Sequence, residues 1–146
     1  MPLPDRWRGV LSGAVFSRII FLVYNLLVFG AAVVPGPNLP EIVSSFNDKF
    51  LHALEYFLLF AVTVRALKTL PAHLPPVRFR GFTAVSWSLS VGILAEALQT
   101  QTVGRSGDPA DAAANGAGIL FAYVVWKMME QKRKQNEEGE SSNGNF

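Results

Sequence analysis

The chain has 146 residues, half of them hydrophobic and only 16% charged, with a formal net charge of +2. Its apolar residues fall into blocks approaching the roughly 20 needed to cross a bilayer, which excludes a soluble domain of useful size. Cysteine is absent, which excludes disulfides, thiolate nucleophiles and cysteine metal ligands.

Residues 1–14 read as a short cytoplasmic arm, with Trp7 at headgroup level. The first apolar block, about 15–34, is too long for a signal peptide and ends in VVPGPNLP rather than a small-residue cleavage site. Asn25 interrupts this block and needs a partner on a neighbouring helix or a backbone carbonyl. The clustered prolines at 35–40 then stop the helix. The following stretch, to Asn47, has room for a short helix.

The second block, about 50–67, opens on DKFLHALEYF, residues 48–57. A Pro-rich turn, LPAHLPPVRFRG, leads to the third, about 81–98. Its Ser86, Ser88, Ser90 and Gly92 suit close helix packing, and it ends in Glu96 and Gln99. The loop QTQTVGRSGDP enters the fourth, about 112–129, whose start is unusually small and polar. Residues 130–146 form a basic stop and a polar tail, expected to be disordered on its own.

Eleven of the 13 basic residues then lie on one side of the membrane, leaving Lys49 and Arg105 on the other. The positive-inside rule puts both termini in the cytoplasm. Basicity therefore reports orientation, and no nucleic-acid partner is expected. The expected fold is all-α: a polytopic membrane protein with a four-transmembrane-helix bundle over 15–129.

In this topology three polar groups meet at the outer side. They are Asp48, Lys49, His52, Glu55 and Tyr56; then Glu96 and Gln99; then Arg105, Asp108, Asp111 and Asn115. At about 100° per residue, Asp48, His52, Glu55 and Tyr56 share a face and Lys49 lies to its side. Ionisable groups within a membrane are costly unless paired or facing a polar cavity. Local roles account for some of them. Ser45 and Asp48 fit a capping box, and Asp108 before Pro109 fits a helix start. Lys49 and Arg105 fit interfacial counter-charges, and Tyr56 fits a packed ring. No local cap explains His52, Glu96 or Asn115.

The segments DKFLHALEYF, EALQ and GRSGDPADAAANGAG, taken together, resemble the VanZ-like family of small integral membrane proteins. The matching positions are Asp48, Lys49 and His52; Glu96 and Gln99; and Arg105, Asp111, Asn115 and Gly118. The resemblance implies a bacterial plasma membrane location and an outer-face polar pocket. Glu55 and the GRSGDPAD link depart from the commoner family pattern.

Two functions follow as expectations. The first is a non-enzymatic accessory or structural subunit contacting membrane lipids and other integral membrane subunits through its helix surfaces. The alternative is an enzyme or binding protein for an envelope lipid or cell-wall precursor. In that case His52, Glu96 and Asp111 would carry acid–base chemistry, and Asp48, Tyr56, Gln99, Arg105 and Asn115 would hold the substrate, Arg105 through its planar donor fork. No residue announces a covalent nucleophile. No cofactor is expected; the variant with a divalent ion would use His52 with Glu96, Asp48 or Asp111, whose oxygens suit magnesium, calcium or manganese.

Overall fold

The computed structural model describes residues 5–35, 48–104 and 107–143. These form four long helices: α1 (Asp5–Ala32), α2 (Asp48–Lys68), α3 (Arg80–Gln99) and α4 (Pro109–Asn143). A single 3-10 turn, Val77–Phe79, precedes α3. All four helices contain a segment long and apolar enough to cross a membrane, and no strand forms among the described residues. The protein is a four-helix polytopic membrane bundle. Ser45, Arg105 and the stretch proposed for a short helix before Asn47 lie outside the described residues.

Within a bilayer only structures that satisfy their own backbone groups can span, which is why each apolar block becomes a helix. The second helix is central and packs against the other three, most extensively against α4. Its buried residues, His52, Tyr56, Leu59, Phe60, Thr63 and Val64, recur at helical spacing and make one inward stripe. The matching stripe of α4 is Asp111, Asn115, Gly118, Ile119 and Ala122. Gly118 sets the closeness of the pair, because a Cβ there would collide with the Ala53 carbonyl. The absent side chain lets the two backbones touch, as small residues do in membrane helix pairs.

Large apolar side chains point outward: Leu26, Phe82 and Ile93 are each 70–71% exposed. Hydrocarbon is as apolar as these residues, so lipid contact covers them without cost. Asn25 finds its partners as the sequence requires. Its Nδ2 donates to the Phe21 carbonyl at 2.7 Å, and its Oδ1 accepts from Trp87 Nε1 at 3.1 Å, joining α1 to α3.

Two departures from the sequence reading concern the ends. The helix α1 begins at Asp5 rather than after a separate arm. The polar tail continues α4 to Asn143 instead of leaving the helix. Arg133 donates to Glu130 at 3.2 Å and to Glu137 at 2.9 Å, the spacings at which charges support a solvated helix.

Candidate functional site

One end of the bundle gathers the start of α2, the end of α3 and the start of α4. The closing loop is fastened there by Thr102, whose hydroxyl donates to the Ala32 carbonyl at 3.2 Å. Asp108 caps α4: its Oδ1 accepts the Ala110 N–H at 2.9 Å, the expected role of an aspartate before a helix-starting proline. Glu96 reaches across from α3, and its Oε1 accepts the Asp108 N–H at 3.1 Å.

Lys49 stands among three aspartates. Its Nζ donates to Asp108 Oδ2 at 2.6 Å and to Asp111 Oδ1, and lies 3.7 Å from Asp48. The Lys49 ammonium, and after it the Ala110 N–H, hold the Asp108 carboxyl below its ordinary value. This inward role goes beyond the counter-charge read from sequence. A helical-wheel angle places Lys49 off the polar face, but a long flexible side chain carries its charge well away from its own Cα.

His52 and Asp111 face each other from α2 and α4, and both residues are buried. His52 Nε2 lies 3.6 Å from Asp111 Oδ2 and 3.8 Å from Asp48 Oδ1. These are electrostatic contacts, slightly too long for hydrogen bonds. Asp48, His52 and Asp111 each offer one ligand atom, all within 4.8 Å of one another, so the trio can hold a divalent ion. One nitrogen and two carboxylates suit manganese or zinc in type, but the nearby ammonium already balances the same carboxylates and makes such coordination weak. Glu96 is outside this trio, being committed to the Asp108 N–H.

Two further buried atoms, His52 Nδ1 and Asn115 Oδ1, have no hydrogen-bond partner among the described residues. Unpaired buried polar atoms are rare in native structures and ask for a functional explanation. Tyr56 is nearly fully buried, with its ring against Gly92 in the core rather than among the charges. Gln99 is half-buried; its carbonyl accepts the Thr102 N–H at 3.0 Å, and its side chain has no hydrogen-bond partner among the described residues. Arg105 lies outside them. The structure therefore brings Asp48, His52, Glu96, Asp108 and Asp111 to one end of the bundle around Lys49.

Comparison of the chain with protein-family models, curated proteins and solved structures gives no match.

Proposed function

We propose that this is a VanZ-like membrane protein that binds the polar head of an envelope lipid or cell-wall precursor at its acidic end. The sequence resemblance supports the family, and its matched positions Asp48, His52, Glu96 and Asp111 come from three helices to one place. The positive-inside rule supports an outer-face location in a bacterial plasma membrane, with both termini cytoplasmic.

The observation that carries the binding function is the pairing of buried His52 with buried Asp111, beside the unpartnered His52 Nδ1 and Asn115 Oδ1. Ionisable groups held at membrane depth mark ligand paths and sites. An accessory subunit has no feature of this kind in its favour, because the exposed apolar helix faces are already accounted for by lipid.

The charge balance narrows the ligand. Among the described residues, Asp48, Glu96, Asp108 and Asp111 stand against one lysine and one histidine. Such a site favours a head that presents hydroxyl or ammonium donors. It accepts a phosphate only together with a bridging divalent cation, since carboxylates repel phosphate at close range. Binding rather than turnover fits the site, because among the described residues no nucleophile is held by a base.

The decisive experiment is purification in native-lipid particles followed by lipid mass spectrometry. The wild type should retain a distinct envelope lipid or precursor, and His52→Ala and Asp111→Asn should each retain about tenfold less. An unchanged lipid complement in both folded variants would overturn the proposal.

A further inference from the structure

The opposite end of the bundle carries a second, unrelated polar feature. A cavity of about 770 Å³ opens between the end of α2, the 3-10 turn, the start of α3 and the distal half of α4. Six of its lining residues are lysine or arginine, and only Glu130 is acidic. Glu130 is already engaged, by Lys68 and by Arg133 at 3.2 Å. Arg78, Lys127 and Lys134 have no acidic partner among the described residues. The cavity therefore keeps a surplus of positive charge.

Its wall also carries donors with nothing to donate to. Arg80 is 8% exposed; its guanidinium donates to the Leu70 and Pro71 carbonyls at 2.8 and 3.3 Å, while its buried Nε has no partner among the described residues. Trp126 Nε1 is likewise buried and unpartnered. Both residues line this cavity.

An apolar groove of about 390 Å³ adjoins it along the same two helices. Phe82, Val85 and Leu89 of α3 and Gly116, Leu120 and Tyr123 of α4 line the groove. Its lining runs over seven residue steps of either helix, a length of about 10 Å. Tyr123 of the groove and Trp126 of the basic cavity have ring centroids 5.9 Å apart, so the two spaces lie on either side of this aromatic pair. Gly116 leaves open space in its wall, where a Cβ would meet nothing within 4 Å.

We propose that the basic cavity and the apolar groove are one binding site for an anionic phospholipid, the phosphate held in the cavity and an acyl chain laid along the groove. Basic pockets between membrane helices are suited to phosphate-bearing headgroups, and tryptophan and tyrosine are at home where headgroup gives way to chain. A soluble phosphate would use the cavity and have no use for the groove. An acidic protein segment would likewise leave the groove empty of an acyl chain. A basic cavity with an apolar groove beside it commits the site to lipid.

The test is native mass spectrometry of the full chain titrated with phosphatidylglycerol, with phosphatidylcholine and with inorganic pyrophosphate. Phosphatidylglycerol should bind at least tenfold more tightly than phosphatidylcholine. Replacing the exposed pair, Lys127→Gln with Lys134→Gln, should weaken it roughly tenfold. Gly116→Leu, whose Cβ enters open space, should also weaken phosphatidylglycerol while leaving the thermal unfolding temperature intact. Equal binding of the two lipids overturns the proposal. Pyrophosphate binding that matches phosphatidylglycerol and ignores Gly116→Leu also overturns it, in favour of a soluble anion.

Discussion

The Lys49 ammonium donates to the Asp111 carboxylate across the α2–α4 interface, although the lysine side chain is 40% exposed and that of Asp111 only 10%. The lysine thus brings a solvated charge to a carboxylate that the bundle has largely withdrawn from solvent. It also occupies the electrostatic place that a metal ion would take beside Asp48, His52 and Asp111.

Removing that competitor should reveal the latent metal site. In Lys49→Gln, Mn²⁺ affinity should rise about tenfold over wild type, the effect of deleting one nearby like charge. Adding Asp111→Asn should abolish the gain. Electron paramagnetic resonance of Mn²⁺ titrated into the purified protein reads both. Metal affinity that ignores Lys49→Gln would remove the trio as a cation site.

Gly118 and Gly116 are two residues apart and should respond in opposite directions. Gly118→Val forces a side chain into the Ala53 carbonyl and should cost about 1–3 kcal/mol through overpacking. Gly116→Ala meets no atom and should stabilise by about 0.5–1 kcal/mol through helix propensity. Equilibrium unfolding in mixed micelles distinguishes them, and equal effects would refute the close α2–α4 approach.

Acid should selectively erase the benefit of the Asp108 charge. Asp108→Asn keeps a competent helix cap and loses only the charge facing Lys49. A carboxyl whose folded-state pKa is depressed contributes its full stability above the unfolded value. It loses that contribution as pH falls through the folded value. The unfolding temperature of the wild type should therefore exceed that of Asp108→Asn by a constant amount from about pH 7 to 5. The two should converge only as the pH falls below the ordinary carboxyl range, where the depressed Asp108 group takes up its proton. A gap that persists at low pH would contradict the ion pair.

The absence of native cysteine allows a direct test of sidedness. Val103, in the loop between α3 and α4, is 78% exposed. Val103→Cys should react with a membrane-impermeant maleimide added to intact cells. A cysteine replacing Lys134 should react only after the cells are opened. The reverse pattern would invert the assigned orientation.

The four spans were legible because each apolar block is long enough to have no other stable form in hydrocarbon. The meeting of Asp48, His52, Glu96 and Asp111 followed from alternation, since successive spans must return the start of α2, the end of α3 and the start of α4 to one end. The bond from Glu96 to a loop N–H was not legible, because a contact with an irregular segment leaves no periodic trace. The inward reach of Lys49 was hidden by side-chain length. The helical tail was hidden because composition alone does not register that Glu130, Arg133 and Glu137 are spaced to pair. The basic cavity went unseen for another reason: its lysines and arginines were read as markers of orientation, and only packing shows them surrounding a common space.

The close approach at Gly118 fixes where the backbones of α2 and α4 come nearest. Asp111 lies seven residues to one side, about 10 Å along α4, and Glu130 twelve residues to the other, about 18 Å. Lys49 pairs with the first and Lys68 with the second. Beyond Gly118 side chains fill the gap, Phe60 against both Tyr123 and Trp126, so the acidic end and the basic end are held apart by one continuous packed seam.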